Sequence, residues 1–156
     1  MKFKTAVRRT NEVKDAYRPG IGALQERDRN RLSFADTRKI RGSINLDCSL
    51  AELYPNHPRW DYGIGIEKNS AKDQVFWLEV HPAKADEIQP MIAKLRWLKN
   101  WLRNAAPNLE KITTRESPFI WVASGRVSLQ PTSRQVKILA EAGLTLPHEH
   151  YHFNIA

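Results

Sequence analysis

A strand pair followed directly by a long amphipathic helix constrains this chain more than any other feature. The run Asp61-Tyr62-Gly63-Ile64-Gly65-Ile66 alternates strictly, and a polar stretch at 67–74 leads into Val75-Phe76-Trp77-Leu78-Glu79-Val80-His81. A period of two is the pattern of a strand, so these runs are expected to form a hairpin. It places Glu79 and His81 on one face of their strand, and Asp61, Gly63 and Gly65 on one face of theirs. Pro82 ends the second strand because it has no N–H for the ladder. Residues 86–103 then read as a helix capped by Asp86, with Pro90 tolerated in its first turn. Ile88, Met91, Ile92, Leu95, Leu98 and Leu102 make a stripe of about 120° that must cover the sheet. Lys99 falls within that stripe, where it either pairs or extends its ammonium to water. Lys94, Trp97 and Trp101 project on another side.

The remaining segments fill in around this unit. Thr10 is expected to cap a helix running to Tyr17, halted by Pro19-Gly20. Residues 21–42 read as a short helix and a basic connector, 43–47 as a strand through Ile44 and Leu46, and 48–54 as one or two helical turns. Pro55-Asn56-His57-Pro58 is a turn. Phe119-Ile120-Trp121-Val122-Ala123 is a buried strand. Ser133 and Gly143 bracket a helix with Val136, Leu139 and Ala140 inward, and the tail adds edge strands. The expectation is one domain over residues 1–156: a basic helical region at 1–42, a core at 43–125, and a C-terminal helix and tail at 126–156.

Composition narrows the partners. Of the formal net charge of +8, residues 1–42 carry +7, with 12 Lys/Arg against 5 Asp/Glu. Arg27, Arg29, Arg31, Arg38, Lys39 and Arg41 could neutralise nucleic-acid phosphates, or form a solvated surface. Only one cysteine, Cys48, is present, so no internal disulfide or multi-cysteine zinc site can form. No apolar run approaches the roughly 18 residues of a membrane span, and no apolar segment follows the charged start. A cytoplasmic protein without membrane contact is expected.

Chemistry-bearing residues gather around the hairpin. Asp61 and Glu79 stand at adjacent strand ends, where paired carboxylates can hold a hard divalent cation. Alternatively Asp61 pairs with Arg59 and Glu79 faces solvent, although Glu79 is embedded among apolar neighbours that make an unpaired carboxylate costly. Asp47 is a weaker third acid. Trp97 and Trp101 could stack bases or meet a protein partner or a second copy of the chain. His148, His150 and His152 alternate, so on a strand their imidazoles share a face and could ligate a transition metal.

Trp60-Asp61 followed by Leu78-Glu79-Val80-His81 resembles the PD-(D/E)xK nuclease superfamily over roughly residues 43–125. The resemblance implies an α/β fold of restriction-endonuclease-like αβββαβ type, with a mixed central sheet flanked by helices. It implies a Mg²⁺- or Mn²⁺-dependent nuclease in which Asp61, Glu79 and the Val80 carbonyl hold the ion. The motif proline is Trp60 here, and the motif lysine is His81. Either His81 acts as the base toward water, or Lys99 supplies the missing cation from the helix, or catalysis is lost. In the last case the chain is an inactive nuclease-like module that binds protein or nucleic acid.

Overall fold

The computed structural model describes residues 1–130 and 133–155. It is a mixed α/β structure with helices flanking a four-stranded sheet. Strands β1 (Leu32–Phe34), β2 (Ile40–Asn45), β3 (Tyr62–Glu67), β4 (Asp73–His81), β5 (Phe119–Ala123) and β6 (Tyr151–Phe153) form two sheets. The larger runs in the order β2-β3-β4-β5. Its first three strands are antiparallel neighbours, and β5 lies parallel to β4. The parallel step requires a crossover, which α4 (Ile88–Ala105) and α5 (Pro107–Ile112) supply.

Both sheet faces are covered, which is why β3 is buried almost along its whole length. On one face Trp77, Trp121 and Ile44 pack with α4, α5, α1 (Phe3–Arg8), α3 (Leu46–Leu50) and α6 (Arg134–Ala142). On the other, Ile64, Phe76, Leu78 and Ile120 meet Leu24 and the small parallel sheet of β1 and β6. No helix among the described residues is long and apolar enough to cross a membrane.

The hairpin, β5 and α6 stand where the sequence places them, although Ala140, expected on the inward face of α6, is exposed. Ser133 accepts the Val136 N–H, and Gly143 closes α6 at φ 91°, a left-handed conformation that suits glycine. The helix read as 86–103 begins two residues later, after a 3₁₀ turn at Ala85–Glu87, and Asp86 does not cap it. The N-terminal reading needs correction. The Thr10 hydroxyl donates to the Ala6 carbonyl, and the residues after it make only a 3₁₀ turn at Asn11–Val13. The helix lies earlier, at α1. Within 21–42, α2 (Glu26–Arg29) and a 3₁₀ turn at Thr37–Lys39 are helical, and β1 and the start of β2 appear where a connector was expected.

Gly63 and Gly65 serve packing rather than ligand access. A Cβ on Gly63 would lie 2.7 Å from the Trp77 ring, and one on Gly65 would collide with the Phe3 ring. Both rings are fully buried and have no room to withdraw. Gly65→Ala is therefore expected to destabilise the fold by about 1–3 kcal/mol, the usual cost of overpacking, read as a lower urea midpoint.

Candidate active site

The ladder between β3 and β4 ends at Tyr62↔Leu78. Beyond it, side chains replace main chain. The Asp61 N–H donates to Glu79 Oε1 at 3.1 Å, and the Val80 N–H donates to Asp61 Oδ2 at 3.0 Å. Each carboxylate thus satisfies a backbone donor belonging to or adjoining the other. The Asp61 carbonyl meanwhile accepts the Leu46 N–H, which ties the same point to the start of α3.

Glu79 is only 1% exposed and would be costly if unpaired. Lys94, in the second turn of α4, reaches its Oε2 at 2.8 Å and also donates to the Arg59 carbonyl at 3.2 Å. His81 Nδ1 lies 3.6 Å from the same Oε2, while Nε2 bonds Glu87 at 2.7 Å. The result is an Asp–Glu–Lys–His cluster at one end of the sheet.

Burial, then the neighbouring Glu79 charge, pushes the Asp61 carboxyl up to about 7, against the Val80 N–H and Lys94. Burial works to lower Lys94, but Glu79 outweighs it and the net shift is upward. The Glu79 carboxylate raises His81, with Glu87 adding to it and burial opposing. The cluster thus shifts Lys94 and His81 toward their cationic forms, whereas Asp61 is poised between its two states near neutrality.

Asp61 and Val80 open onto a polar cleft of about 370 Å³, shared with Asp28, Asp47, Asn45, Arg27 and Arg31. Glu79 does not line it; it lies behind. Asp28 accepts the Tyr62 hydroxyl at 2.6 Å, and Asp47 pairs with Arg59 at 3.1 Å. Asp61 Oδ1 accepts no hydrogen bond among the described residues, so one carboxylate oxygen remains for a ligand. Among the described residues no group of three or more His, Cys, Asp or Glu side chains could hold an ion. Mg²⁺ still fits such a site, since it usually takes one or two carboxylates and keeps several waters.

The other expected residues are placed as follows. Lys99 does not supply the missing cation: it is exposed, donates to the Ala142 carbonyl and sits 5.3 Å from the Phe119 ring centre. Lys94 is the lysine of α4 that reaches Glu79. The reason is the buried Trp101, which turns the inward arc of α4 toward the Lys94 side while Ile92 is only partly buried. The basic set divides. Arg27 and Arg31 reach the cleft, and the Arg31 guanidinium is fixed by the carbonyls of Ala123 and Ser124. Arg29 bonds the Leu24 carbonyl. Arg38, Lys39 and Arg41 lie near Ile40↔Ile66, at the opposite end of the sheet from Asn45↔Tyr62. There Arg38 pairs with Asp36 and Arg41 with Glu67.

Trp97 and Trp101 stack nearly parallel at 6.3 Å, but Trp101 is buried and Trp97 leans on Tyr54 and donates to His57. They do not form a shared open platform for bases. His148 stands apart from His150 and His152, which both approach Ser33. No protein-family model matches the chain, and comparisons with the curated proteins and with the solved structures likewise return no match.

Proposed function

We propose that the chain is a Mg²⁺- or Mn²⁺-dependent nuclease of PD-(D/E)xK type, with Lys94 standing in for the motif lysine. The observation that carries this reading is the Asp61–Glu79–Lys94 cluster, which leaves Asp61 near neutrality beside a polar cleft. Two further features support it. The mixed α/β architecture, a four-stranded sheet flanked by helices, is of the fold class that the superfamily resemblance implies. Arg27 and Arg31 at the cleft suit a phosphate-bearing substrate.

In this reading Asp61 and the Val80 carbonyl hold the ion, with Asp47 near enough to raise the Asp61 pKa. The ion would polarise a phosphoryl oxygen and lower the pKa of attacking water. Glu79 acts from behind, orienting Asp61 through its backbone N–H. Lys94 pairs with Glu79 Oε2 and supplies positive charge beside the cleft. His81, bonded to Glu87 and close to Glu79, helps hold Glu79 in place.

Because a carboxylate must lose its proton to bind a cation, Mg²⁺ affinity is expected to fall about tenfold per pH unit below 7 and to level above it. Calorimetric titration at pH 6 and pH 8 checks this, and Asp61→Asn should abolish the pH dependence with the binding. Cleavage of end-labelled DNA and RNA with Mg²⁺ or Mn²⁺ tests the activity. Cleavage that survives Asp61→Asn sinks the assignment.

One observation favours the second reading, an inactive module that binds protein or nucleic acid. Both Glu79 oxygens are already bonded, and Asp61 and Glu79 together cap the end of a ladder, which is a sufficient structural role. That reading calls for no Mg²⁺-dependent thermal shift and no cleavage.

A further inference from the structure

We infer that the outer face of α1, α5 and α4, away from the cleft, binds the sugar–phosphate backbone of a nucleic acid. The three helices cover the Trp77 face of the sheet, with α5 packed against both α1 and α4. Together they carry seven Lys or Arg and one acid, Glu110, in a chain whose overall ratio is 25 to 17. Two of the seven are engaged within the fold, Lys94 by Glu79 and Lys99 by the Ala142 carbonyl. Lys4, Arg8, Arg96, Arg103 and Lys111 are exposed and make no ion pair among the described residues. Lys4 and Arg8 stand one turn apart as a like-charged pair, and Lys99 and Arg103 repeat the arrangement. Such pairs destabilise a helix, and an anion lying over them removes the repulsion.

The chemistry selects the partner. The exposed positions beside the cations are small or polar, among them Ala93, Asn100, Asn104 and Pro107. A protein interface centres on aromatic or apolar anchors, and a helix lying on a membrane inserts them. A phosphate backbone asks only for cations and polar donors. Arg96 and Arg103 lie on one side of α4, about 10 Å apart along its axis. One strand of a duplex presents about three phosphates over that length. Binding here is independent of base sequence, sensitive to salt and in no need of a metal. The surface contributes affinity alone and leaves any chemical step to the cleft.

The test is fluorescence anisotropy of a short end-labelled DNA duplex with the full chain, in EDTA, over a series of NaCl concentrations. Arg8→Gln/Arg96→Gln/Arg103→Gln should weaken binding at least about tenfold at low salt. It should also lower the slope of log K against log [NaCl] by about 2–3, since each phosphate contact is worth about 0.9. Arg38→Gln/Lys39→Gln/Arg41→Gln removes the same formal charge, but Arg38 and Arg41 are already paired with Asp36 and Glu67, so binding should hold. Melting temperature checks that both variants fold. Asp61→Asn should bind as the parent does, which separates this surface from the cleft. Equal weakening by the two triple variants would mean that only net charge matters, and the inference falls. Parent-like binding by the first variant overturns it as well, even where the parent cleaves DNA. Poly-glutamate that displaces the duplex at equal charge concentration makes the partner an acidic protein segment and likewise overturns it.

Discussion

Glu79→Ala is expected to destabilise the fold by about 3–5 kcal/mol, the range seen when one partner of a buried ion pair is removed. The change leaves Lys94 without its 2.8 Å partner and the Asp61 N–H without an acceptor. Lys94 is 21% exposed, so its ammonium can recover some hydration, which favours the lower end of that range. The pair's contribution has a defined pH window. A lysine whose pKa is raised by folding stabilises the protein fully below its unfolded value and loses that stabilisation only as pH climbs through the folded one. The loss should therefore be undiminished at pH 7. Urea unfolding measures it, and Glu79→Ala/Lys94→Met should be less damaging than Glu79→Ala because no orphaned charge remains. Equal destabilisation in the two would mean that the ion pair is not what Glu79 contributes.

Asp61 shifts stability in the same direction with pH, but in a lower window. Its carboxyl is raised by burial and by Glu79, so the folded state binds a proton that the unfolded chain has released between about pH 4 and 7. Stability from this group falls as pH rises across that interval. A bound cation would offset the loss, which couples the stability of this corner of the sheet to its ligand.

Lys94→Ala should reduce metal-dependent cleavage by about 10²–10³-fold, the effect typical of losing one preorganised charge-stabilising group. Lys99→Ala should leave it unchanged. The contrast matters because both lysines project from α4, and only Lys94 touches the acidic cluster. Single-turnover cleavage at saturating Mg²⁺ separates this effect from weakened ion binding. Equal activity of Lys94→Ala and the parent protein would remove the lysine from the proposed site.

The parts of the fold legible in the sequence are those whose signals are local. Alternation marked the hairpin and placed Asp61 and Glu79 side by side, and the Ser133 cap with Gly143 delimited α6. Helix α1 has no side-chain cap and only six residues. It is held instead by distant partners, with Phe3 under Gly65 and the Phe3 N–H on Asp73, so no nearby residue announces it. Strands β1 and β6 are three residues each and pair across more than a hundred positions, beyond the reach of a periodicity window. Lys94 was hidden for a subtler reason. A stripe drawn through aliphatic residues alone omits Trp101, whose burial turns the helix. The alternation of His150 and His152 was readable, whereas Ser33, their common partner, was not.

The pairing of β1 with β6 also bears on biosynthesis. Leu32 and Phe34 emerge from a ribosome long before Phe153, which stacks on Phe34 at 4.8 Å. Until Phe153 clears the exit tunnel, the apolar face of Ile64, Phe76 and Leu78 lacks part of its cover. The nascent chain therefore presents an incompletely covered sheet face between the emergence of Leu78 and that of Phe153, the stage at which a holding chaperone would find it.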